Sequence, residues 1–344
     1  MDIFSSAVLN RVVQDLKSTV RPPFLLGRYF PEISVSTQEK IFFDVLTGKP
    51  RLAPFCSPLV EGQIVQGLGY QTNSFSPAYI KDKRVFEDGK PVRRRAGQPI
   101  AGALDAMTNR QLAIAQESED QLQMLQRRME WMAAEVLRTG KVTVTGEKYP
   151  TTLVDFGRDA SLQVIAAGNA KWDQPTTATP LDDLESWSGL VRDASGASPV
   201  DVIMAQNVWN KFRAFDDVKD LLSSQLNLSS RTSIDVGPDA AKLGFTDKGT
   251  VGDFHIWIYH DQYTDDNGDT QDFLPDDYLL MAGGQLEGVQ HYGAIKDEAA
   301  GFQALDYFSK SWTQPDPAVR YLMLQSAPLV VPYRVNATLA AKVM

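Results

Sequence analysis

The sequence predicts an α+β fold built round one long helix, and three observations carry that prediction. Residues 103–138 hold an apolar stripe at helical spacing: Leu122, Leu125, Met129, Met132 and Val136 recur at intervals of 3, 4, 3 and 4. Beyond Gly140 the period changes to two, as expected for strands with one buried face. The first third is rich in proline, with nine of nineteen prolines between Pro22 and Pro99. Proline lacks a backbone donor and pushes its predecessor toward extended geometry, so long helices are disfavoured there.

Taken in order, residues 1–55 read as an extended arm with short strands. Such an arm buries little surface by folding on itself. Its large side chains, Phe24, Leu25, Leu26, Tyr29, Phe30, Phe42 and Phe43, need a surface to lie on, either the rest of the chain or a neighbouring subunit. The long helix has Asp105 and Thr108 near its start, Arg138 in its last turn and Gly140 as its stop. At ~1.5 Å per residue it spans about 50 Å. Gln111 and Ser118 interrupt the stripe, which argues against a sustained coiled-coil seam.

KVTVTGEKYPTTLVDFG is expected to form a hairpin turning over Thr145–Pro150. Residues 168–180 read as a loop and 181–193 as a short helix. A strand over Val200–Met204 leads into a helix through Val208, Trp209 and Phe212, which FDDVKDLLSSQL continues. Residues 253–275 are expected to form a hairpin closed by Asn267–Gly268. DYLLMAGG is a further strand, and the C-terminal segment is strand-rich. No internal repeat of 20–50 residues is present.

The 344 residues are 43% hydrophobic and 22% charged, values typical of folded chains. No window approaches the ~18 uncharged apolar residues of a membrane span, so no membrane contact is expected. The first twenty residues lack the pattern of a secretory signal. The single Cys56 fits a reducing compartment.

The net charge of −9 argues against a surface devoted to nucleic acid, but the charge is uneven. Residues 216–277 carry fourteen Asp, no Glu and four basic residues, a net of −10. Residues 81–95 carry a net of +4 through Lys81, Lys83, Arg84, Lys90, Arg93, Arg94 and Arg95. These are either two solvated faces or surfaces that meet between copies.

Signatures of chemistry are missing. Gly48–Lys49 and Gly140–Lys141 lack the remainder of a phosphate loop, and Gly67-Leu68-Gly69 lacks the third glycine of a dinucleotide site. No nucleophile elbow occurs. His255 and His260 lie five apart on an expected strand and point to opposite faces, and Cys56 is distant, so no zinc spacing exists. Asp265-Asp266-Asn267-Gly268-Asp269 fails the calcium-loop pattern, because Thr270 occupies the position that needs glycine. No cofactor, metal or catalytic residue is expected. Arg93, Arg94 and Arg95 lie in a Pro/Gly-flanked loop with few aromatics, which favours a protein partner over a nucleic-acid strand. The candidate intersubunit contacts are therefore Lys81, Lys83, Arg84, Arg93, Arg94 and Arg95.

Specific strings then carry more than composition does. SPLVEGQIVQGLGYQTNSFSPAYIKDK (57–83), GKVTVTGEKYPTTLVDFGRD (140–159), FLPDDYLLMAGG (273–284), HYGAI (291–295) and WTQPDPAVRYLMLQSAPLVVP (312–332) resemble the major capsid proteins of lambda-type tailed phages, the phage major capsid protein E family. The most specific is the late pattern Trp312, Asp316-Pro317, Arg320 and Gln325–Leu329.

The resemblance implies a Hong Kong ninety-seven type capsid fold. Its parts would be an N-terminal arm (1–55), an extended loop (56–102), a peripheral domain (103–197) with spine helix 103–138, an axial domain (198–295), and a return to the peripheral domain (296–344). It implies a structural protein, not an enzyme, that self-assembles into pentamers and hexamers of an icosahedral head around double-stranded DNA. That head is a virion component assembled in the host cytoplasm. Scaffold, portal and a decoration protein are implied partners, with weak, non-specific DNA contact. Some relatives of this fold lock their shells with Lys–Asn isopeptide bonds. Lys81, Lys83 and Lys90 are candidate lysines, but no matching acid catalyst is evident, so an uncrosslinked shell is expected. The competing reading is an α+β binding module that uses the Asp-rich hairpin for a cation or carbohydrate.

Overall fold

The computed structural model describes residues 4–19, 22–38, 40–46, 70–87, 106–146, 148–220, 244–265, 267–301, 303, 305–315 and 319–344. Cys56, Lys90, Arg93, Arg94, Arg95, Asp105, Asp316 and Pro317 lie outside them. The long helix, α3, runs Ala106–Thr139, and the whole expected stripe from Leu122 to Val136 is buried. Among the described residues no helix is long and apolar enough to cross a membrane.

A six-stranded mixed sheet lies at the centre, in the spatial order Gln163–Ile165, Leu339–Lys342, Tyr278–Ala282, Asp201–Ala205, Phe254–Tyr259 and Phe245–Val251. Asp201–Ala205 is buried at every position, which explains its unbroken apolar run Val202-Ile203-Met204. A three-stranded sheet joins Glu32–Val35, Gly288–Tyr292 and Pro328–Pro332. A second joins Phe308–Gln314, Val319–Ser326 and Ile80–Glu87. The expected hairpin is present as Lys141–Gly146 against Tyr149–Asp155. A helix runs Pro180–Ser195, with Trp172 from the preceding loop stacked on its Trp187.

Two expectations are corrected. The arm is partly helical: α1 spans Ser6–Thr19 and α2 spans Phe24–Tyr29. Leu9 and Val13 of α1 are fully buried, four residues apart on one face, and the helix ends before the first proline, Pro22, so the proline-rich stretch does not restrict it. Pro23 stands at the N-cap of α2, outside the hydrogen-bonded turns, where its missing donor is harmless. The second correction concerns 253–275. Phe254–Tyr259 pairs with the preceding Phe245–Val251 and runs parallel to Asp201–Ala205. Only Gln262–Thr264 and Thr270–Asp272 form a hairpin about Asn267–Gly268. The parallel partner arrives through a crossover containing the helix Gln206–Phe212, a non-local pairing invisible to local periodicity.

Helix α3 serves two cores. Its first half contributes Ala113 and Ile114 to a small cluster with Phe4, Leu9 and Leu322. Its second half lies in the main core with the six-stranded sheet. The helix ends at Gly140 with φ +70°, and Arg158 donates to the carbonyls of Leu137 and Arg138 at 2.7 and 2.5 Å. Burial, with Arg138 nearby, lowers the Arg158 pKa to about 10. A Cβ at position 140 would stand 2.6 Å from Cβ of Arg158. Gly140→Ala therefore meets both a left-handed backbone and a clash. We expect a loss of ~1–3 kcal/mol, read as a lowered urea midpoint with unchanged slope.

Candidate assembly surfaces

Two buried carboxylates hold the arm to the body. Glu130 of α3 is fully buried and accepts from the backbone N–H groups of Leu25 and Leu26 at 2.9 and 2.8 Å. These belong to the first turn of α2, whose donors have no partner within the helix. The Tyr259 hydroxyl donates to the same carboxylate at 2.6 Å. Burial raises the Glu130 pKa to about 7, against the pull of these three donors, and the Asp261 charge adds to the rise. The same burial, beside Glu130, raises the Tyr259 pKa, so its hydroxyl stays protonated.

At the other end of α2, Arg28 makes a bidentate pair with Asp201 at 2.9 and 2.8 Å. Tyr29 Oη and Trp257 Nε1 donate to Asp201 at 3.0 Å each. Burial works against the Asp201 charge, but these donors outweigh it and hold its pKa below the usual carboxylate value. Beyond α2, Gln290 Nε2 donates to the Phe30 carbonyl at 2.7 Å. Gly288 admits the chain at closest approach, since a Cβ there would lie 2.1 Å from the Tyr29 carbonyl. The arm then adds Glu32–Val35 to the sheet, parallel to Gly288–Tyr292.

The base of the loop segment is fastened to α3 through Arg84. Its guanidinium reaches Asp82, Glu117 and Asp120 at 2.8, 3.1 and 2.6 Å. Partial burial opposes the charge, and these carboxylates raise its pKa above the ordinary arginine value. Gln121 Nε2 donates to the Asp82 carbonyl at 3.0 Å. The Arg84 charge is thus engaged within its own subunit. Lys81 and Lys83 project from the opposite side of the strand and are exposed. Lys83 Nζ lies 3.9 Å from the Tyr321 ring centroid and 5.4 Å from that of Trp312.

The remaining sequence candidates are structural. His255 bonds Asp247 at 2.7 Å and stacks on Trp257. His291 is buried against Tyr333, and burial lowers its pKa. Asp265 Oδ1 accepts from the N–H groups of Asn267 and Asp269 at 2.9 Å each, so it organises its own turn. Among the described residues no group of three His, Cys, Asp or Glu could hold a metal ion. Sequence reasoning missed Glu130 and Asp201. The one available signal was a carboxylate inside an apolar pattern: Glu130 beside Met129 and Asp201 heading Val202-Ile203-Met204.

A spine helix with an arm and a loop strand fastened to it, around a mixed central sheet, is the architecture of a Hong Kong ninety-seven type capsid subunit. The model of the family described as phage major capsid protein E matches residues 5–343, and the chain belongs to that family. It is 30% identical to the major capsid protein of Escherichia phage lambda over 315 residues, covering 90% of each chain. It is 29% identical to the major capsid protein of Escherichia phage N15 over 337 residues, covering 96% of each. Among solved structures it resembles a putative capsid protein of a prophage of E. coli CFT073, with TM-score 0.78, 25% identity and 99% of each chain covered. The protein is a structural component of a phage virion shell and not an enzyme. The relatives do not support the binding-module reading.

The Glu130 carboxyl makes a pH-dependent contribution with a definite sign. Its folded-state pKa of about 7 lies above the unfolded value, so the folded state holds the extra proton. This contribution is fully present below about pH 4.5 and is lost as pH rises through about 7, a change of roughly 3 kcal/mol. Glu130→Gln lowers stability at every pH, because its amide group opposes one of the backbone donors. The difference in melting temperature between native protein and variant should narrow steadily from pH 5 to pH 8. A pH-independent difference would overturn this role.

Proposed function

We propose that this chain forms the pentamers and hexamers of an icosahedral phage head enclosing double-stranded DNA. The observation that carries the reading is the family match across nearly the whole chain, together with capsid relatives of the same length. In this reading residues 1–55 are the arm, 56–102 the extended loop, 103–197 and 296–344 the peripheral domain and 198–295 the axial domain. The loop crosses onto neighbouring subunits and buries surface there, whereas α1, α2 and Glu32–Val35 of the arm pack on their own subunit. Each contact is weak, so errors dissolve during assembly, while their number stabilises the closed shell.

Assembly takes place in the host cytoplasm, with scaffold, portal and decoration proteins as partners of a precursor shell that expands as DNA enters. The net charge of −9 suits a container that releases its genome, because tight phosphate contacts would oppose packaging and ejection. The +4 run at 81–95 and the −10 segment at 216–277 support ionic contact between copies, with Lys81, Lys83, Arg93, Arg94 and Arg95 as the candidate basic donors.

Negative-stain microscopy and sizing of the expressed chain test the reading: capsomers or shells are expected, and a small discrete oligomer overturns it. Changing Arg93, Arg94 and Arg95 together to Glu should abolish shells while leaving a folded subunit with an unchanged circular dichroism spectrum. Normal particles from that variant would remove the arginines from the interface. Mature particles boiled in SDS should run at the 38.1 kDa subunit mass. A ladder of covalent multimers would refute the uncrosslinked shell.

A further inference from the structure

We infer that the open half of the outer face of the Ile80–Glu87, Val319–Ser326 and Phe308–Gln314 sheet receives the acidic Gln262–Asp272 hairpin of a second copy. The inference rests on the shell reading above and assigns one contact within it.

Asp82 and Arg84 turn toward α3, so Lys81, Lys83 and Val85 alternate to the far face. The register sets Lys83 opposite Met323, which in turn faces Lys310; it sets Val85 opposite Tyr321, which faces Trp312. One end of this face is already covered. Phe308 packs with Ile295 and Ala300, and Lys310 and Gln325 both donate to Asp297. The other end is open, with Val85 47% and Trp312 36% exposed. Among the described residues Lys81 and Lys83 make no ion pair with a carboxylate. An exposed indole, a phenol ring, an exposed valine and unpaired ammonium groups are the composition of an interface centre more than of a solvated face.

The occupant must be anionic, and the chain supplies one. Residues 262–272 carry four Asp and no basic residue. Asp265 accepts from the N–H groups of Asn267 and Asp269 in the turn, and Asp269 and Asp272 are exposed. One subunit cannot close the contact on itself. The hairpin is tied to α3 by Arg127, which donates to the Gln262 carbonyl at 2.8 Å, whereas the receiving face points away from α3. The two surfaces therefore meet only between copies. An isolated exposed ion pair contributes little, but apposition to Trp312 and Tyr321 removes water from it, and a shell repeats it many times.

Shells co-assembled from isotopically heavy and light subunits, treated with a zero-length carbodiimide, test the contact directly. The expected product is a heavy–light peptide joining Lys81 or Lys83 to an aspartate within 262–272. The intrachain Lys17–Asp306 pair serves as the positive control. Lys83→Glu should cut particle yield at least about tenfold with the subunit still folded, and adding Asp269→Lys should restore it. Particles in which only the control pair is joined would overturn the contact while leaving the capsid reading intact. The same holds if Lys83→Glu assembles normally but its particles hold less DNA, since the face would then contact phosphate. An unmodified chain that forms no particles would overturn the capsid reading and this inference together.

Discussion

The docking of α2 against the body is the interaction on which the other contacts depend. Six helical residues cannot sustain themselves in water, since nucleation alone outweighs so few hydrogen bonds. α2 exists because Glu130 and Asp201 receive its polar groups at both ends while Phe24, Leu25, Leu26 and Tyr29 enter the core. The Phe24 ring stacks on Phe245 at a centroid distance of 4.3 Å, with Trp257 at 5.3 Å. Truncating either carboxylate would strand buried donors, which is more damaging than the net strength of the pairs suggests. The arm thus closes one side of the central sheet and leaves it aimed along Gly288–Tyr292.

Helix α3 joins this clasp to the loop. Glu130, in its second half, holds the arm, and Glu117 and Asp120, ten to thirteen residues earlier, hold Arg84 at the loop base. Both anchors sit on one rigid element, so displacement of arm or loop is felt along the same axis. The character of the seams differs. Around Leu122 to Val136 the helix lays its apolar stripe into the main core. Nearer its start, Ser118 Oγ and Gln121 Oε1 are buried without a hydrogen-bond partner, and each such group is unfavourable by ~1–3 kcal/mol. The first half of the spine, which carries the loop strand and α1, is therefore less firmly held than the second half, which carries α2.

The charge of the subunit takes its meaning from the same geometry. Arg84 belongs to the basic run in sequence, yet alternation along its strand directs it inward, onto three carboxylates. Lys83, one residue before it, faces outward over Tyr321. Composition reports one basic segment; the pleat divides it into an internal fastening and an external surface.

The sequence by itself determined the class, the spine helix, the first hairpin and the family, because each is written in local periodicity or in contiguous strings such as Gln325–Leu329. It also determined the imbalance of charge. Only the tertiary structure decided the helical state of α2, the partner of Phe254–Tyr259 and the inward turn of Arg84. The physical reason is common to all three. α2 is stabilised by a carboxylate 105 residues away in the chain. The Phe254–Tyr259 strand runs parallel to one about fifty residues earlier. Arg84 meets acids 33 and 36 residues distant. Contacts of that separation leave no trace in the local pattern, and here they decide which surfaces remain open for other copies of the chain.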